Sequence, residues 1–188
     1  MVISLFRRHG NKLRNMINFR ASAFILLITI ALHAQAQNPP NCDDKRFNDP
    51  FMDKIAGVWS AGGKIGFDSV TYHFKGSWEL DHQFMVLTFA DTAAQPQYTA
   101  QVFIGYDCVS ERYVCHWLDN FGGRFSETLG FGIRQGNTLE FRFEYPDGPF
   151  INQLIYNEKE DTWKMHTTTK NQNGVWVTFG DICLRRIR

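Results

Sequence analysis

A carboxylate set among apolar side chains is the first place to look for chemistry in this sequence. The stretch Arg112 to Asp119 alternates, so that Tyr113, Cys115, Trp117 and Asp119 share one face of a strand. Burying an unpaired carboxylate is prohibitive, so Asp119 must find donors or water on that face. There it can orient a polar group of a ligand or serve as a general base with a raised pKa. Its other reading is as a cap of the turn Asn120 to Gly123, accepting backbone N–H groups as aspartates ahead of glycine turns often do.

The other reactive residue types offer less. His73 and His166 fall on the wet side of their strands, among Lys75 and Glu79 and among Lys164 and Thr168. His82 sits in a turn, and His116 faces away from Trp117. No pair has ligand spacing, and the adjacent Cys115 and His116 point to opposite sides of a strand, so neither a metal nor a cofactor is expected. No serine occupies a G-x-S-x-G turn; Ser60, Ser77 and Ser126 fall within strands. Asp119 is thus the one catalytic candidate.

The four cysteines are at positions 42, 108, 115 and 183. A bond between Cys108 and Cys115 is disfavoured, because a strand rises about 3.3 Å per residue and a disulfide tolerates Cα separations only up to about 7 Å. Cys42 lies on a polar lead-in that can reach one end of the fold, and pairing of the first strand with the last brings Cys183 to the same region. Any disulfide is therefore expected to join Cys42 to Cys108 or to Cys183 and to pin the lead-in over one mouth. Cys115 is expected to be a buried thiol or one half of a second bridge.

The elements that must position these residues are strands. Tyr72, Phe74, Gly76, Trp78 and Leu80 alternate with polar residues, as do Leu139, Phe141, Phe143 and Tyr145. Turn residues such as Pro146-Asp147-Gly148-Pro149 and Asn171-Gln172-Asn173-Gly174 cut the chain at near-regular intervals. Nine such breaks leave ten strands, expected over 58–65, 70–80, 83–90, 98–106, 112–119, 124–134, 138–145, 150–156, 162–169 and 175–185. Before them, Phe51 to Ala56 suits one or two helical turns ended by Gly57. Many short strands joined by short turns close on themselves to remove their edges, so the expected fold is an all-β, antiparallel up-and-down barrel over residues 51–188. A two-sheet sandwich is the structural competitor.

The four-residue turn Cys108 to Glu111 also sets a register, pairing Asp107 with Arg112, Ile104 with Cys115, Val102 with Trp117 and Ala100 with Asp119. Asp107 and Arg112 are expected to form an ion pair at the rim. On the inward faces, Tyr72, Phe74, Trp78, Tyr98, Val102 and Ile104 are expected to line the interior. Trp117, Asp119, Phe141, Phe143, Trp163 and Met165 complete that wall. Trp59 is read as the plug of one end.

Residues 1–36 hold five basic and no acidic residues, an apolar run from Ala21 to Leu32, and Ala34-Gln35-Ala36. This pattern is that of a secretory signal peptide cleaved near Ala36/Gln37, with the start at Met1 or Met16 left open and residues 37–50 as an extended lead-in. The apolar run spans about 18 Å as a helix against a bilayer core of about 30 Å, so no stable membrane span is expected after cleavage. Removal leaves 15 basic against 19 acidic residues, a net charge of −4. An acidic domain without a basic run is a poor partner for nucleic acid.

The Gly57-Val58-Trp59 start, on a strand after a short helix, is similar to that of the calycin barrels, which include lipocalins, fatty-acid-binding proteins and nitrobindins. The motifs GVWSAGG (57–63), WELDHQFMV (78–86), IGYD (104–107), RYVCHWLD (112–119) and GVWVTFGDICLRR (174–186) together resemble the bacterial family catalogued as domain of unknown function 1579. That resemblance implies a calycin-like, lipocalin-like barrel with an interior space and no settled activity. Nitrobindin-like haem binding would need an inward histidine near the chain end, and Val175 to Arg185 holds none. The expected protein is periplasmic or secreted and binds an apolar or amphipathic, lipid-like or aromatic small molecule in the barrel. The alternatives are a barrel enzyme, an isomerase or hydrolase using Asp119, and an envelope protein that binds another protein over a filled core.

Overall fold

In the computed structural model, residues 40, 41 and 46–187 are described. The expected signal peptide, most of the lead-in, and Cys42 lie outside them. Ten antiparallel strands follow one another around a closed barrel: β1 (Gly57–Ile65), β2 (Asp68–Glu79), β3 (Phe84–Asp91), β4 (Thr99–Asp107), β5 (Arg112–Asp119), β6 (Leu129–Gln135), β7 (Thr138–Tyr145), β8 (Gly148–Asn157), β9 (Thr162–Lys170) and β10 (Trp176–Arg186). Closure comes from β1, which pairs with β2 on one side and with β10 on the other. Two short helices accompany them, α1 (Pro50–Asp53) and α2 (Gly123–Ser126). No helix among the described residues is long and apolar enough to cross a membrane.

Period-two burial explains the strands. In β7, Leu139, Phe141 and Phe143 are buried while Arg142 and Glu144 are exposed. The β4–β5 hairpin has the register that its turn length implies, with Asp107 opposite Arg112 and Ala100 opposite Asp119. The expected ion pair across it does not form. Asp107 instead accepts from the Val109 N–H at 3.0 Å and from the Ser110 hydroxyl, and the Arg112 guanidinium lies 3.8 Å over the Phe131 ring. The expected strand over 124–134 also needs correction. Gly122, at φ 93°, turns the chain into α2, the Ser126 carbonyl contacts the His116 ring at 2.8 Å, and ladder pairing starts only with Leu129 opposite His116.

One end of the barrel is sealed by α1. Asp49 accepts from the Phe51 N–H at 2.9 Å as its N-cap, and its second oxygen accepts from the Tyr113 hydroxyl at 2.6 Å. Phe51, Met52 and Ile55 thereby enter the core with Trp59, Phe74 and Trp163. Three indole N–H groups hold the plug: Trp59 donates to the Ile55 carbonyl (2.9 Å), Trp78 to Asp53 (2.8 Å) and Trp163 to the Lys54 carbonyl (3.3 Å). Arg186 at the end of β10 donates to the carbonyls of Lys54 and Ala56, both at 2.9 Å, pairs with Asp161 at 2.8 Å and lies 4.0 Å over the Trp59 ring. Gly76 permits this approach, since a Cβ there would stand 2.4 Å from the Ile55 oxygen.

Candidate functional site

The opposite end is open. A cavity of about 800 Å³ enters the barrel there, between the β1–β2, β5–β6 and β7–β8 connections. Its wall is aromatic and interlocked: Tyr72 packs against Phe89 and Tyr98 at centroid distances of 6.2 and 5.7 Å, and Phe89 against Trp117 at 5.4 Å. On the far side Phe143 stacks on Tyr145, and Phe150 meets Phe179 edge-on. Gly130 of β6 makes room for this wall, because a Cβ there would stand 2.5 Å from the Phe143 ring. Volume and apolar lining are the features of a small-molecule site.

The interior residues expected from alternation divide between the two ends. Tyr72, Tyr98, Trp117, Asp119, Phe143 and Met165 line the cavity. Phe74, Val102, Ile104, Phe141 and Trp163 are buried in the sealed half. Trp78 stacks on His82 at 4.0 Å, at the sealed end. The barrel is thus filled at one end and hollow at the other.

Asp119 joins both of its readings. It lines the cavity and also accepts from the Phe121 N–H at 3.0 Å, holding the turn. Burial raises its carboxyl above the usual range, opposed by that hydrogen bond. Nearby phenols are raised too: burial pushes Tyr145 to about 12, with the Asp119 charge adding to it, and burial likewise raises Tyr98, whose hydroxyl accepts from the Trp117 indole at 3.0 Å. These hydroxyls stay protonated and offer neutral hydrogen-bonding groups, not anions. Among the described residues no histidine or serine hydrogen-bonds Asp119, so its chemistry is that of an isolated carboxylate.

The chain matches no family model and no curated protein. Its site therefore rests on geometry.

Several cavity residues escaped the strand pattern because they sit in the connections. Phe121, Arg124, Phe125 and Glu127 all lie at the mouth, and Arg124 reaches across it to Asp147 at 3.6 Å. The glycine run Gly122-Gly123 was the available signal that this segment is loop. Asn152 was also missed, although as a polar residue on the inward face of β8 it carries the same signal that singled out Asp119. Among the described residues no group of three or more His, Cys, Asp or Glu side chains is arranged to hold a metal. Cys115 and Cys183 are free thiols, which removes Cys183 as one of the two expected partners of Cys42. Burial pushes the Cys115 thiol well up, so it is an inert core group.

Proposed function

We propose that this protein binds a small apolar or amphipathic molecule in the open half of its barrel. The observation that carries the reading is the aromatic-walled cavity of about 800 Å³ at the end of the barrel opposite the α1 plug. Removing a drug-sized hydrocarbon from water stabilises the complex by about 25 cal/mol per Å² of apolar surface, before the costs of association. The signal-like leader supports a periplasmic or secreted location for the mature chain, and the calycin-type motifs agree with a binding role. Native mass spectrometry of the purified protein tests it. A copurified lipid-like or aromatic mass, or uptake of one added in solution, supports the reading; an empty protein that takes up no apolar compound removes it.

The raised carboxyl of Asp119 on the cavity wall favours a second reading, an enzyme with Asp119 as general base. In that case Asp119→Asn abolishes a turnover while leaving thermal unfolding nearly unchanged. Unaltered turnover in the variant rejects it.

A further inference from the structure

The cavity wall carries a polar side chain that the barrel leaves unsatisfied. Asn152 on β8 is 2% exposed, lines the cavity, and its Oδ1 has no hydrogen-bond partner among the described residues. Its cross-strand neighbours are Phe141 and Thr167. The Thr167 hydroxyl, also buried, donates to the Gly180 carbonyl at 3.4 Å instead. A buried amide oxygen without a donor is a net loss to the fold, and native proteins hold few of them. Its position points to a donor arriving from outside the chain. Asn152 stands four residues inside the Gly148 end of β8, about 13 Å along the strand from the mouth.

Charge around the cavity narrows the ligand further. Asp68, Asp119, Glu127 and Asp147 line it with Arg124 as the sole cation among the described residues, and Arg124 already pairs with Asp147 at 3.6 Å. An anionic headgroup meets carboxylates at the mouth, finds no cation at depth and brings no hydrogen for Oδ1. A cationic one suits the mouth but must shed its water to reach Asn152. A hydroxyl meets every requirement.

Resting on the binding role proposed above, we infer that the ligand is a neutral hydrocarbon bearing an alcohol or phenol, inserted with that group first so that it donates to Asn152 Oδ1. Its hydrocarbon body lies along the aromatic wall toward the mouth. The class thereby set apart is that of the ionised fatty acids, which have the same tail and the wrong head.

The test uses pyrene, a hydrocarbon with no polar group, as a fluorescent occupant, and decanol and decanoate as competitors at neutral pH. Decanol is expected to displace pyrene at about tenfold lower concentration than decanoate. Asn152→Leu is expected to keep the unfolding temperature at or above wild type and to weaken decanol about fivefold more than it weakens pyrene. If the leucine variant fails to fold, Asn152→Ala, which only truncates the side chain, makes the same comparison. Decanoate competing as well as decanol, or a variant that weakens decanol no more than pyrene, overturns the inference while the binding role stands. Failure of wild type to take up pyrene overturns both.

Discussion

Burial and a single backbone donor pull the Asp119 carboxyl in opposite directions, and burial prevails. The folded state then holds the proton more tightly than the unfolded chain does. The stability this group contributes is fully present below the unfolded carboxyl pKa of about 4, and it is lost as pH rises through the raised folded value. Asp119→Asn keeps an oxygen for the Phe121 N–H and removes the charge. Its unfolding midpoint at neutral pH is expected to match or exceed wild type, with a flatter profile just above the ordinary carboxyl range, as urea titrations at several pH values will read. A loss of more than about 1 kcal/mol at neutral pH would mean that the anion's bond to the turn dominates. Asp91 at the same end behaves in the reverse sense. Its exposed carboxylate accepts backbone N–H groups from Ala93 and Gln97, both at 2.7 Å, which lowers its pKa. That contribution is present above the unfolded value and is lost as pH falls through the lowered folded one.

Among the elements, α1 and the end of β10 decide which mouth is closed. Arg186 ties them by satisfying two carbonyls at the C-terminal side of α1 while covering Trp59. Arg186→Ala takes a donor from both carbonyls and from Asp161, although Lys54 keeps the Trp163 indole and Asp161 the Tyr156 hydroxyl, and is expected to destabilise by about 1–3 kcal/mol. Arg186→Lys is expected to recover only part of this, because an ammonium cannot present the same fork of donors. Equal unfolding midpoints for wild type and the alanine variant would show that the plug holds by apolar packing alone. Strand positions and the β4–β5 register were legible beforehand because turn length and alternation are local properties. The β5–β6 connection was not. Its Phe125 mimics a strand residue, and its helical turn depends on Gly122 and on a contact with His116 that lies ten residues away from Ser126.

At the scale of the whole molecule, alternation tells which side chains face inward and says nothing of depth. Tyr72 and Phe74 are two residues apart on one face of β2, yet the first lines the cavity and the second is buried against the plug. Which end is filled depends on α1 folding over one mouth, a long-range event that the strand pattern does not encode. Phe47 belongs to the sealed end as well, where its N–H donates to the His82 carbonyl at 3.2 Å. With Cys115 and Cys183 free, the proposed bridge that stands is Cys42 to Cys108, and the turn carrying Cys108 lies at that same end. A non-reducing peptide map should recover those two cysteines as one linked peptide. The chain-entropy model assigns a loop of this size about 4 kcal/mol, so reduction is expected to lower the unfolding temperature without opening the cavity. Recovery of Cys42 as a free thiol contradicts the assignment.

The central claim is that the open half of the barrel is a binding chamber, and a fluorescence titration of pyrene into wild type and a cavity-filling variant tests it most directly. Val70 lines the cavity from β2 and is only partly buried, so Val70→Trp can place an indole in open space with little strain. The expected result is saturable uptake of one pyrene by wild type, with binding weakened at least about tenfold in the variant and an unfolding temperature that is unchanged or higher. Pyrene binding of the same strength in both proteins, or none in wild type, would contradict the account.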